Sequence, residues 1–252
     1  MFVILNGANA IIKNGKLEII STNGVVDGTE VSTGGSSAVY CDGGNITMEN
    51  MEIIGSQRGG HRAIEVYDGI GTFTNVNIDV NYGLGINAGA GAKATLTDCN
   101  ITVNGMYSAP YNSTCFSVMG GGEMTVESGN YKLINDDTYV TGASHGGWVG
   151  IIMSSGGTLK LNGGTFTNVP AAGFVPAYER PLFTCDAVSG TEASLHFNGG
   201  TYVPQEDQIA HKGGSGGTEN VIIKGETLAG YSINTTLLEK MTDNGNGSWT
   251  IQ

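Results

Sequence analysis

Asp136, Asp137 and Glu179 are the acidic residues of this chain whose surroundings best suit sugar chemistry. Hydrolysis of a glycosidic bond needs two carboxyl groups about 5 to 9.5 Å apart, one protonating the leaving oxygen and the other acting as nucleophile or base. Asp136 or Asp137 with Glu179 could supply such a pair from adjacent loops. A polysaccharide lyase would instead need a Lys, Arg or His base near the sugar C5 and a cation or positive group for its carboxylate. The chain holds only 11 Lys plus Arg. Its one dense basic cluster is Arg58, His61 and Arg62, in a Gly-rich stretch beginning at Gly55 that could hold an acidic sugar or an acidic partner. Acidic pairs and basic clusters are also common in solvated loops, so these residues are candidates for catalysis rather than a catalytic signature.

Aromatic residues gather in the same places. The segments 104–114, 135–149 and 170–181 hold Tyr107, Tyr111, Tyr139, Trp148, Phe174 and Tyr178, and they also carry His145 and Arg180. Sugar rings pack their C–H faces on π-surfaces while neighbouring polar groups bond the hydroxyls. Tyr107, Tyr111, Tyr139, Trp148, Tyr178 and Arg180 are therefore the expected ligand-binding residues. The competing reading is that these aromatics tack long loops onto the body or form subunit contacts.

Other chemistries find no support. Gly213-Gly214-Ser215-Gly216-Gly217-Thr218 has a Thr where a calcium-binding nonapeptide repeat needs its Asp, and no tandem copy follows. Gly89-Ala90-Gly91-Ala92-Lys93-Ala94 lacks the strand–helix setting of a nucleotide loop. Zinc and EF-hand spacings are absent, so neither metal nor cofactor is expected. A net charge of -12 argues against nucleic acid or an anionic membrane as partner, and no stretch approaches the roughly 20 apolar residues of a membrane span. Met1–Leu5 is apolar but lacks the basic region and cleavage site of a signal peptide. Cys41, Cys99, Cys115 and Cys185 have no C-x-x-C spacing and most sit in apolar runs, which reads as buried thiols.

What must position these residues is a recurrent strand motif. Eight copies occur, with anchors at positions 14, 50, 75, 98, 128, 163, 199 and 224. The residue two before each anchor (Ile12, Met48, Phe73, Leu96, Val126, Leu161, Phe197, Ile222) is apolar, and so is the residue three after it in every copy but the last, where Thr227 stands. Alternation as in Thr158-Leu159-Lys160-Leu161 has the period of two that turns one side chain in and the next out. Helical periodicity is nearly absent. Gly-containing turns precede most anchors, where tight corners cost Gly least. Units this short and Gly-rich, in a chain with 42 Gly and only 13% charged residues, cannot bury an apolar face alone and must stack. Variable spacing of the anchors places insertions in the three aromatic segments, and loops leaving equivalent corners of a stack lie side by side.

On these motifs the chain resembles the right-handed parallel β-helix superfamily, the pectate-lyase-like and phage-tailspike fold, over residues 10–228. The resemblance is architectural, and no catalytic residues carry over. It implies an all-β solenoid of about eight coils, residues 14–228, with a first strand or cap at 1–13 and a C-terminal cap or hairpin at 229–252. Eight coils at a strand spacing of about 4.8 Å make a rod roughly 40 Å long. The expected function is a non-enzymatic structural or adhesion module of a phage virion or bacterial surface, located on the virion or outside the cell. Its expected partners are a polysaccharide or cell-surface glycan and other virion proteins, and the tailspike analogy alone suggests a homotrimer. The alternative is a polysaccharide lyase or glycoside hydrolase on the same frame.

Overall fold

In the computed structural model the residues described are 2–19, 25–26, 29–30, 37–55, 61–81, 83–89, 91–104, 113–135, 148–152, 156–170, 181–205, 207–213, 216–230 and 233–251. The protein is all-β apart from one short helix, α1 (Asn234–Glu239). Among the described residues no helix is long and apolar enough to cross a membrane. The first two strands, β1 (Phe2–Ile4) and β2 (Asn9–Glu18), begin an 8-stranded and a 15-stranded sheet respectively. The chain then alternates between the two sheets. Ser37–Asp42, His61–Tyr67, Gly83–Gly89, Thr114–Val118, Trp148–Ile152, Phe183–Cys185 and Ala210–Lys212 extend the smaller sheet in sequence order, every pair parallel.

In the larger sheet each pass bends at the anchor position. Ile70–Asn81 runs through its bend, and its first half pairs with Lys93–Thr97 while its second half pairs with Cys99–Asn104. Parallel pairing in fixed register follows the sequence motif: Ile12, Met48, Phe73, Leu96, Val126, Leu161 and Phe197 form one column across the strands. Leu17, Ile53, Ile78, Ile101, Tyr131, Phe166 and Tyr202 form a second. Beyond the first pass both columns are buried. The second turns from aliphatic to aromatic, so that Tyr131, Phe166 and Tyr202 stack at centroid spacings of 5.3 Å. The eighth copy departs from the expected register. Phe197 pairs with Ile223, not Ile222, because Glu226–Leu228 folds back antiparallel on Thr218–Ile223 and the pass never turns its corner.

The corners explain the Asn-rich anchors. Asn14, Asn50, Asn75 and Asp98 have φ of 57, 53, 52 and 53°, in the left-handed region that Asn and Asp tolerate better than other side chains. Stacking these positions also lets their side chains bond along the stack: Asn75 Nδ2 donates to Asn50 Oδ1 at 2.8 Å and Asn50 Nδ2 to Asn14 Oδ1 at 3.0 Å. A second ladder two residues on joins Asn130 to Asn100 and Asn100 to Asn77, both at 2.8 Å. From the next pass the positive φ moves one residue on, to Gly129 at φ +123°, where a Cβ would run into the Cys99 carbonyl oxygen. All four cysteines are free and buried.

Candidate functional site

The expected site residues fall almost wholly outside the described residues: Tyr107, Tyr111, Asp136, Asp137, Tyr139, Phe174, Tyr178, Glu179 and Arg180 all do, as do His145 and Arg58. Trp148 begins a strand of the smaller sheet, where it is in register with Thr114. The chain order does place the three segments relative to the sheets. Residues 105–112, 136–147 and 171–180 each connect a strand on the second half of the larger sheet to a strand of the smaller one.

That sheet carries a row that is polar at six of its seven positions. Fixed register sets Tyr40, Glu65, Asn87, Ser117, Ile151, Thr184 and His211 on one line across seven strands, spaced about 4.8 Å apart. Period-two alternation puts this line on the face opposite Val39, Ile64, Ile86 and Phe116, which fill the core. Polar groups on an outward face usually meet water, yet Glu65, Asn87 and Ser117 are 4%, 2% and 2% exposed.

Glu65 is the centre of the best-formed part. Its carboxyl group accepts from Ser37 Oγ, from Arg62 Nη1 at 2.5 Å and from Tyr67 OH at 3.2 Å. Tyr67 OH accepts in turn from Asn87 Nδ2 at 3.0 Å, and the Tyr67 ring lies 5.7 Å from that of Tyr40. Burial first, and then the Glu65 charge, raise the Tyr67 pKa above the usual phenol value, so the hydroxyl keeps the proton it gives to Glu65. Burial and the charges of Asp42 and Glu65 raise Tyr40 likewise.

Two acceptors in the row have no partner among the described residues. Asn87 Oδ1 and Thr184 Oγ1 are buried without a hydrogen bond. A buried polar atom left unsatisfied costs about 1–3 kcal/mol. The row is polar on either side of Ile151 and has a pair of tyrosine rings at one end. Among the described residues no cluster of His, Cys, Asp and Glu suits a metal ion.

Arg62 had been legible only as part of a basic loop cluster with Arg58 and His61; it belongs to the strand His61–Tyr67 and pairs with Glu65. Sequence reasoning missed Glu65, Tyr40, Tyr67, Asn87 and Thr184. The available signal was a carboxylate between two aliphatics, Ile64-Glu65-Val66, inside a strand. No protein-family model, curated protein or solved structure matches the chain.

Proposed function

We propose that this protein is a right-handed parallel β-helix serving as a non-enzymatic structural or adhesion module, which holds a glycan along the polar row of its smaller sheet. The architecture is supported by parallel pairing of every successive pass in both sheets, with antiparallel strands only at the C-terminal end, and by the right-handedness of nearly all parallel crossovers. The observation that carries the functional reading is the aligned pair of buried, unpartnered acceptors, Asn87 Oδ1 and Thr184 Oγ1. Sugar hydroxyls are donors of the right size and spacing for such a row. The three aromatic-bearing segments precede strands of the smaller sheet in the chain, and their rings are of the kind that packs on sugar faces. A glycan-binding rod of this kind belongs on a phage virion or a bacterial surface.

Glu65 itself does not read as a general acid, while the catalytic candidates Asp136, Asp137 and Glu179 lie outside the described residues. A general acid must offer its proton to a leaving oxygen, whereas three donors converge on this carboxyl group. The test is affinity for bacterial polysaccharides with Thr184→Val and Asn87→Leu. Each loses an acceptor while keeping the side chain's size, and Asn87→Leu also loses the donor to Tyr67, so each should weaken glycan binding about tenfold or more, with circular dichroism confirming that the fold is intact. Unchanged affinity in both variants overturns the reading.

A further inference from the structure

Two ladders of side-chain amides run along the bend of the larger sheet, one through the anchors and one two residues on. The first is continuous from Asn75 through Asn50 to Asn14. The second runs from Asn130 through Asn100 to Asn77 and stops there. Next in register to Asn77 stands Glu52, a carboxylate of the kind that Asn bonds elsewhere on this sheet. Asn162 donates to both oxygens of Glu127 at 3.1 Å, Asn104 to Asp79 at 2.7 Å and Asn220 to Glu192 at 2.8 Å. Between Asn77 and Glu52 the ladder stays open. Among the described residues the Asn77 amide nitrogen donates to no acceptor, and Glu52 accepts no hydrogen bond, facing only Lys16 Nζ at 3.6 Å.

The gap opens on a groove. A space of about 360 Å³ lies between the two columns, with Asn50 and Asn75 on one side and Glu52 and Asn77 on the other; small-ligand sites begin at roughly this size. Gly15 and Met51 complete its lining. A Cβ on Gly15 would sit 3.4 Å from the Met51 methyl, so the missing side chain leaves that methyl as an apolar floor. The walls keep unused hydrogen-bonding capacity. A carboxamide has two N–H donors, and Asn50 and Asn75 each give one to the ladder. Whatever fills the gap must accept from Asn77 and donate to Glu52 at once. A hydroxyl does both. A carboxylate or phosphate only accepts and is repelled by Glu52, and an ammonium group only donates and leaves Asn77 without an acceptor. A ring bearing several hydroxyls and an apolar C–H face also engages the amides of Asn50 and Asn75 while lying on the Met51 methyl. We propose that this groove is a binding site for one neutral sugar ring, with a hydroxyl inserted between Asn77 and Glu52. It lies on the larger sheet and does not depend on the polar row of the smaller one.

Titrating the isotope-labelled full chain with methyl glucoside, methyl galactoside and methyl N-acetylglucosaminide tests it, with methyl glucuronide as the anionic control and the side-chain amide signals of Asn50, Asn75 and Asn77 as the readout. At least one neutral glycoside should shift the Asn77 signals saturably, with a dissociation constant in the millimolar range of a single small ligand, and the glucuronide should not. Glu52→Leu removes the charged acceptor at an exposed position and should weaken this binding about tenfold or more, while backbone signals away from the bend show that the variant is folded. These signals belong to the groove itself, so the outcome is separate from that of the polysaccharide test on the smaller sheet. No saturable shift with any of the three neutral glycosides, a glucuronide that binds as tightly as they do, or a Glu52→Leu variant that binds like the wild type would each overturn the proposal.

Discussion

Replacing Asn50 by Ala attacks the corner ladder at its centre, and its cost can be worked from the geometry. Asn50 makes two side-chain hydrogen bonds, donating to Asn14 at 3.0 Å and accepting from Asn75 at 2.8 Å. Both are solvent-exposed, so each is worth about 0.5 kcal/mol, the low end for a net hydrogen bond. The backbone there has φ of 53°, and an Ala in the left-handed region adds roughly 1 kcal/mol. The total is about 2 kcal/mol, which for a domain of this size lowers the melting temperature by about 4–8 °C. Asn50→Gly separates the two contributions, since Gly loses the hydrogen bonds but accepts positive φ without strain; it should recover about half of the loss. Thermal unfolding followed by circular dichroism reads both. If Ala shifts the midpoint by less than 2 °C, or Gly destabilises as much as Ala, the ladder and the left-handed corner are not what holds these passes together.

Gly129→Ala should be more damaging than Asn50→Ala, because the new Cβ meets the Cys99 carbonyl oxygen at φ +123°; chemical denaturation should show a loss of several kcal/mol. Phe166→Ala opens the middle of the Tyr131–Phe166–Tyr202 stack and should cost about 3–5 kcal/mol in the same assay. Burial, and then Lys160 on the adjacent strand, lower the His196 pKa below 6.5. The unfolded chain therefore takes up this proton first as the pH falls, so stability declines below about pH 6.5, and His196→Gln should flatten that part of the profile. Burial pushes the Cys99 and Cys185 thiols up to about 11 and about 12 and raises Cys41 and Cys115 as well. None of the four thiols should react with a disulfide reagent at pH 8 until the protein is denatured.

Much of the frame was legible because stacking writes itself into a period of two and a recurrent anchor. The inward positions around anchors 50, 75, 98, 128, 163 and 199 are the buried columns of the larger sheet. The slip at Ile223 was not legible, since Ile222 and Ile223 are both apolar and only the return strand Glu226–Leu228 fixes which one faces inward. Nor was the ladder chemistry, because Asn at a left-handed corner and Asn bonding its counterpart on the next pass give the same letter in the sequence. The candidate site was harder still. Tyr40 reads as one more member of an apolar run, and the line joining it to Glu65, Asn87 and Thr184 exists only once the register of the smaller sheet is known. Residues separated by 25, 22 and 97 positions fall on one line through backbone pairing alone.

Size-exclusion chromatography with light scattering, on the purified protein mixed with a panel of bacterial polysaccharides, tests the central claim most directly. The account predicts that the protein co-elutes with at least one polymer whose mass is undiminished, and that Thr184→Val weakens this association. A polymer shortened by the protein, or no association with any member of the panel, would contradict it.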